Sequence, residues 1–243
     1  MFIRAIPNAL TLLNLVVGVA AALVALHGRL DEAALLVVLG MLLDGLDGRA
    51  ARWLHAESEF GKQLDSLSDM ITFGVAPVVV MYQVQLRQLG LLGDFLAVVF
   101  PICGALRLAR FNTQTKARHY FVGLPITAAG GVLATMALMK PVLHPAQVIL
   151  PAGMFILSLL MVSSVRYPNF KRVSYPKSVF VLVPLFAVAI FVLIRCHIVR
   201  TDWLAFGILG LYALYGVMRA VRYRLLTARR RSTPADVATR SEE

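Results

Sequence analysis

The sequence predicts an all-α protein, a polytopic bundle of about eight transmembrane helices. Hydrophobic residues fill 59% of the 243 positions and charged residues only 15%, and the mean hydropathy is +0.76. Soluble domains average about 45–50% apolar and about 25% charged residues. Apolar stretches of about 20 residues, long enough to cross a bilayer as a helix, recur along the chain. These observations leave little sequence for a separate soluble domain.

Eight segments have the length and composition of spanning helices. They are 5–27, 31–54, 62–87, 91–112, 124–140, 146–166, 178–196 and 201–222. We expect residues 1–224 to form a single transmembrane domain and residues 225–243, which are polar and basic, to form a disordered cytoplasmic tail. The first segment is superficially similar to a signal peptide, but its length and polar residues favour a retained spanning helix.

The Lys and Arg residues support this count and give an orientation. With eight spans and a cytoplasmic N-terminus, 19 of the 24 Lys and Arg residues lie on the cytoplasmic side. Such an asymmetry is typical of membrane proteins, and one helix more or fewer would destroy it. We therefore expect both termini to be cytoplasmic. The net charge of +11 is then explained by the basic residues that orient the protein in the membrane. It does not indicate nucleic-acid binding.

Four aspartates lie within 26 residues, on either side of the predicted cytoplasmic hairpin between the second and third segments. They are Asp44, Asp47, Asp65 and Asp69. Asp44 follows an apolar stretch without a break, so it lies at membrane depth. An acid there costs at least about 2.5 kcal/mol unless it is paired or solvated. A compensating partner is therefore required.

The spacing of these aspartates indicates a metal site. Asp44 and Asp47 are three residues apart, and Asp65 and Asp69 four apart, so each pair shares one helix face. The hairpin places the two pairs opposite each other, and four facing carboxylates cannot all stay ionised without cations. Oxygen-only ligands suit Mg²⁺ or Mn²⁺, and two such ions can stabilise phosphoryl displacement. The cluster has no His or Cys, which argues against zinc.

These residues complete a motif that resembles the signature of the CDP-alcohol phosphotransferase family, D-x2-D-G-x2-A-R-x8-G-x3-D-x3-D. The fixed positions, with every spacing intact, are Asp44, Asp47, Gly48, Ala51, Arg52, Gly61, Asp65 and Asp69. The resemblance implies a core of six membrane helices, usually dimeric, with an active site open to the cytoplasm. It makes residues 1–224 a catalytic domain.

The resemblance also implies a role for each matching residue. Asp44, Asp47 and Asp65 would bind the metal ions, and Asp69 would be the base that deprotonates the acceptor hydroxyl and would also touch a metal. The remaining fixed positions would line the site of the CDP-lipid: Gly48, Ala51, Arg52 and Gly61. Elementary chemistry agrees, because glycine permits close approach of a substrate or a helix and arginine can bind phosphate with two donors.

Four stretches, three outside the motif and one that overlaps its end, resemble the membrane-integral phosphatidylserine synthases of bacteria. They are IPNALTLLNLVVG, LDSLSDMITFGVAP, ALRLARFN and YFVGLPITAAGG. The resemblance implies transfer of a phosphatidyl group from CDP-diacylglycerol to L-serine in the cell (inner) membrane, with release of CMP. One position departs from it, because Thr127 stands where we expect proline.

Two further groups are candidates for substrate binding. Arg107, Arg110, Asn112 and Lys177 are candidates for binding the acceptor, since the serine carboxylate needs a cation. Arginines at a helix end also anchor helices at the headgroup level, which is the alternative for the first two. Asn8, Thr11 and Asn14 recur every three residues on the first helix and can contact the CDP-lipid; hydrogen bonds between helices are the alternative.

Two other functions remain compatible with the sequence. The acceptor can be glycerol 3-phosphate, inositol phosphate or choline, although the sequence shows neither an added basic cluster near the fourth segment nor an aromatic cage. The four acids can also form the ion path of a channel or transporter. The Gly48, Ala51 and Arg52 pattern argues against the ion path, which has no use for a nucleotide cleft.

Overall fold

The computed structural model describes residues 2–113, 120–141, 143–163 and 166–168. Within these ranges the chain forms seven α-helices. They are α1 (Phe2–Leu26), α2 (Leu30–Trp53), α3 (Glu59–Asp69), α4 (Ala76–Val84), α5 (Leu91–Asn112), α6 (Ile126–Leu138) and α7 (Ala146–Val162). A π-helical turn, Met70–Val75, joins α3 to α4, and a short 3-10 turn, Leu86–Leu89, precedes α5.

The first six predicted segments each correspond to a helical segment, since α3, the π-helical turn and α4 run on as one helix, Glu59–Val84. Among the described residues, three helical segments are long and apolar enough to cross a membrane: Ala5–Leu26, Glu59–Val84 and Leu91–Asn112. α2 is equally long but carries acids at both ends, and α6 and α7 are shorter apolar helices. The count of eight spans is therefore not confirmed. Residues 178–196, 201–222 and 225–243, together with Lys177, lie outside the described residues.

The all-α prediction describes the helical bundle, to which the described residues add one short pair of strands. Tyr120–Val122 (β1) pairs antiparallel with Arg166–Pro168 (β2), with Phe121 opposite Tyr167. The predicted sixth span, 146–166, extends beyond α7, which stops at Val162, and its last residue is the first residue of β2. Apolar patterning predicts the existence of a helix more accurately than its ends.

α6 occupies the centre of the bundle. It contacts α2, α4, α7 and the π-helical turn, and 11 of its 13 residues are buried. A helix that is apolar all round is expected to be buried in this way. By contrast, α1 and α5 expose rows of large apolar side chains, as helices facing lipid do. The start of α6 is thus held firmly against the helix that carries Asp44.

Small residues bring the other helices close to the π-helical turn. A side chain added at Gly18 of α1 or at Gly40 of α2 would collide with Thr72. A side chain added at Gly130 of α6 would fall on the backbone of Phe73. Membrane helices use such small residues to bring their backbones together. The π-helical turn, which directly follows Asp69, is therefore fixed from three sides.

Candidate metal and substrate site

The acidic hairpin forms as the sequence predicts. α2 ends at Trp53, a short loop follows, and Ser58 accepts a hydrogen bond from the Gly61 backbone N–H at 3.0 Å, which caps α3. This cap starts α3 three residues before the predicted beginning of the third span. α1 packs against both helices of this hairpin.

Three of the four aspartates converge. Asp44, Asp47 and Asp65 each offer one carboxylate oxygen, and these oxygens all lie within 4.8 Å of one another. Asp69 is outside this set but lies within electrostatic range of all three and of Arg107. Three carboxylate oxygens at this separation can hold one hard divalent cation. The residues present therefore fit a metal ion.

Burial means that these carboxylates need a compensating partner when they are ionised. Asp47 is 3% exposed and Asp69 is 6% exposed, while Asp44 and Asp65 are half-buried. Oδ1 of Asp69 is buried and accepts no hydrogen bond from the described residues. Ionised carboxylates in such surroundings require a positive partner. A bound divalent cation would supply that charge.

Thr11 is part of the support for the acids. Its hydroxyl donates to Oδ2 of Asp47 at 2.8 Å and shares the same hydrogen with the Pro7 carbonyl of its own helix, 3.0 Å away. Its own carbonyl accepts a hydrogen bond from the Ser68 hydroxyl at 3.0 Å. Thr11 is itself 4% exposed. For this residue the structure shows hydrogen bonding between helices, which was the alternative to direct contact with the CDP-lipid.

The other two residues of that polar row differ from Thr11. Asn14 is fully buried, its carbonyl accepts a hydrogen bond from Thr72 at 3.0 Å, and its side-chain amide has no partner among the described residues. Asn8 is half-buried, and a Cβ added at Gly61 would lie 3.0 Å from its Oδ1. Gly61 therefore permits the close approach of α1 to α3.

Gly48 has different surroundings from Gly61. Apart from its chain neighbours and the backbone of α2, Nη1 of Arg52 is the one atom of the described residues within 4 Å of a Cβ added there, at 3.6 Å. Ala51 is half-buried, and Arg52 is exposed at the last turn of α2. There is therefore room beside Gly48, the residue that follows Asp47.

Of the acceptor-binding candidates on α5, one lies near the acids and two join α5 to neighbouring helices. Arg107 lies within electrostatic range of Asp69 and stacks over the Phe111 ring at 5.5 Å. Arg110 donates to the Val162 carbonyl at 3.2 Å and so ties α5 to α7. Asn112 donates to Ser66 at 2.9 Å and thereby ties α5 to α3. Of these candidates, Arg107 is the one that the structure brings to the acids.

The sequence did not predict two features of the site, the contact of Thr127 with Asp44 and the π-helical turn after Asp69. The hydroxyl of Thr127, in the first turn of α6, donates to Oδ2 of Asp44 at 3.2 Å. The sequence marks Thr127 as a departure from a family pattern, but a threonine in an apolar segment gives no sign of its partner. The π-helical turn after Asp69 has no signal in the residue pattern either, although such turns are frequent at functional sites.

The comparisons with known proteins agree with the motif. The CDP-alcohol phosphatidyltransferase family model matches residues 4–165. The chain belongs to this family. A relative from Helicobacter pylori named CDP-diacylglycerol–serine O-phosphatidyltransferase is 36% identical over 219 residues, which cover 88% of this chain and 90% of the relative. Family membership and long apolar helices make the chain a membrane protein.

Two further relatives broaden the comparison. One from Bacillus subtilis with the same name is 39% identical over 168 residues, or 69% of this chain and 92% of the relative. One from Methanothermobacter thermautotrophicus, named archaetidylserine synthase, is 37% identical over 172 residues, or 68% of this chain and 70% of the relative. The names of these relatives refer to different lipids, but each of them includes serine.

Proposed function

We propose that the chain transfers the phosphatidyl group of CDP-diacylglycerol to the hydroxyl of L-serine, with phosphatidylserine and CMP as products. The observation that carries the proposal is the convergence of Asp44, Asp47 and Asp65 within 4.8 Å, inside an intact motif of the family to which the chain belongs. Relatives that align with most of the chain carry serine in their names as the acceptor. The relative whose name refers to a different lipid, archaetidylserine synthase, also has serine in its name.

Two divalent ions, Mg²⁺ or Mn²⁺, are bound in this proposal by Asp44, Asp47 and Asp65, with Asp69 as a ligand of one of them. When bound, the ions neutralise the pyrophosphate of the donor and the charge that develops on departing CMP. Hard oxygen ligands without His or Cys favour these two metals over zinc. The buried Oδ1 of Asp69, which has no hydrogen-bond partner among the described residues, supports its inclusion.

Asp69 acts as the general base. Its carboxylate accepts the proton of the serine hydroxyl, whose oxygen forms a bond to the phosphorus that carries the diacylglycerol. The bond between this phosphorus and the CMP oxygen breaks, and CMP leaves with the electron pair. Asp69 suits this role because it lies within electrostatic range of the three clustered carboxylates and of Arg107, and outside the clustered set.

The two substrates approach from different sides of the acids. Gly48, Ala51 and Arg52 of α2 line the place where the nucleotide and its phosphates are bound, with Arg52 donating to phosphate. Arg107 on α5 binds the serine carboxylate, since it places a cation next to the base. Arg110 and Asn112 hold α5 in position through their contacts with α7 and α3.

The site faces the cytoplasm in this proposal, and the chain is a multi-pass protein of the cell (inner) membrane with both termini cytoplasmic. The excess of Lys and Arg on the predicted inner side supports this orientation. A homodimer is expected from the resemblance to the family. The lipid-facing rows on α1 and α5 leave room for such an interface.

A panel of acceptors tests the proposal. Detergent-solubilised protein is incubated with CDP-diacylglycerol, Mn²⁺ and, in turn, serine, glycerol 3-phosphate, inositol phosphate or choline, and CMP release is followed. We expect serine alone to accelerate CMP release. Equal release with glycerol 3-phosphate would remove the serine assignment and leave the reaction class, whereas no release with any acceptor would remove both.

A further inference from the structure

We propose that Thr127 is a positioning residue that holds the Asp44 carboxylate in the orientation required for metal binding. The proposal rests on the proposed metal site and adds to it a residue that lies outside the acidic motif. Its basis is the 3.2 Å hydrogen bond from the Thr127 hydroxyl to Oδ2 of Asp44, which joins residues 83 positions apart.

The fold fixes the position of the Thr127 backbone. The chain turns at Gly123, whose φ of +84° is in the left-handed region and whose missing side chain leaves room for the Met161 carbonyl. Pro125 follows as the residue before α6, and Ile126 and Ala128 on either side of Thr127 are buried. The backbone at Thr127 therefore cannot turn away from α2 without exposing these neighbours or disturbing the start of α6.

The start of α6 also favours a carboxylate at this point. Backbone N–H groups in the first turn of a helix have no partner within the helix, and they carry a partial positive charge. The Thr127 hydroxyl is in this turn, and its hydrogen bond directs Oδ2 of Asp44 towards it. Asp44 is thus oriented from α6.

Asp47 is held in a matching way from α1. There the Thr11 hydroxyl donates to Oδ2 of Asp47 at 2.8 Å. Two of the three clustered carboxylates therefore each accept a hydrogen bond from a threonine on a different helix. Hydrogen bonds of this kind orient metal-binding carboxylates, and their loss typically weakens metal affinity by about 10–100-fold.

The chain provides a set of variants that separates the hydroxyl from the fold. Thr127→Val removes the hydroxyl and keeps the branched shape, and Thr127→Ser keeps the hydroxyl. Thr127→Pro introduces the residue expected from the family pattern, which the first turn of a helix accommodates. Thr135→Val is the matched control on the same helix, because the Thr135 hydroxyl bonds only to the Gly131 and Val132 carbonyls of α6 among the described residues.

The experiment measures Mn²⁺ binding to each solubilised full-length variant by the electron paramagnetic resonance signal of free Mn²⁺. We expect Thr127→Val and Thr127→Pro to raise the Mn²⁺ dissociation constant by about tenfold, with Thr127→Ser and Thr135→Val close to wild type. In CMP-release assays, the Mn²⁺ concentration for half-maximal rate rises in parallel, while the rate at saturating Mn²⁺ is nearly restored. A role in folding alone would not produce this dependence on metal concentration.

The outcomes separate this inference from the proposed function. If wild type binds Mn²⁺ and Thr127→Val binds it equally well, Thr127 does not position Asp44 and the metal site stands. If Thr127→Val and Thr135→Val weaken binding equally, the effect comes from the fold of α6 and the inference is overturned. If wild type itself binds no Mn²⁺, the metal site fails, and the role of Thr127 fails with it.

Discussion

Gly48 offers a direct test of where the CDP-lipid binds, because the protein itself leaves its Cβ position open. Apart from its chain neighbours and the backbone of α2, only Nη1 of Arg52 among the described residues lies within 4 Å of a Cβ added there, at 3.6 Å, an ordinary van der Waals contact. Gly45, on the same helix and outside the family motif, has no such neighbour within 4 Å of its Cβ position among the same residues. Gly48→Ala and Gly45→Ala are therefore a matched pair.

Gly48→Ala is expected to stabilise the fold and to weaken the binding of the CDP-lipid. Alanine in place of glycine inside a helix stabilises it by about 0.5–1 kcal/mol, so neither variant should melt earlier than wild type. If the CDP-lipid lies against Gly48, the added methyl group overlaps it. Overlap of this size costs about 1–3 kcal/mol, which corresponds to a rise of about 5–150-fold in the KM for CDP-diacylglycerol.

The assay is CMP release as a function of CDP-diacylglycerol concentration, together with thermal melting of both variants. We expect Gly48→Ala to raise KM strongly and Gly45→Ala to leave it unchanged, with both variants folded. A Gly48→Ala variant with wild-type KM would refute the position of the nucleotide. A matching rise in Gly45→Ala would show that the effect arises in the helix and not at the ligand.

Three other perturbations test the same structure. Asp69→Asn lowers kcat by about 10²–10⁴-fold while the variant still binds Mn²⁺ at the three clustered carboxylates; wild-type turnover would refute the role of base. A chelator stops CMP release and added Mn²⁺ or Mg²⁺ restores it, whereas turnover that survives chelation would contradict the metal site. Gly130→Ala destabilises the protein by about 1–3 kcal/mol in thermal melting, because its Cβ would fall on the Phe73 carbonyl; unchanged melting would contradict this packing.

Much of the site could be predicted because its chemistry is local in sequence. The hairpin of α2 and α3 carries all four aspartates, and helical spacing sets which of them share a face. The order of apolar segments likewise placed six helical segments close to their observed bounds. In both cases the information lies within stretches of about 25 residues.

The remaining features depend on contacts between distant parts of the chain. The bond between Thr127 and Asp44 joins α6 to α2, and the single sequence does not indicate which polar residue in an apolar segment meets which acid. Thr11 illustrates the same limit, since its regular spacing with Asn8 and Asn14 suited both a ligand contact and a bond between helices. The π-helical turn contains Thr72, which meets α1 and α2, and these contacts too join distant parts of the chain.

The central claim is the transfer of a phosphatidyl group to serine, and the identity of the lipid product tests it most directly. Purified protein is supplied with CDP-diacylglycerol, Mn²⁺ and isotopically labelled serine, and the lipids are analysed by mass spectrometry, with Asp69→Asn as the inactive control. We predict a labelled phosphatidylserine that forms in step with CMP and is absent from the control. CMP release without label in any lipid would contradict the account, because serine would then not be the acceptor.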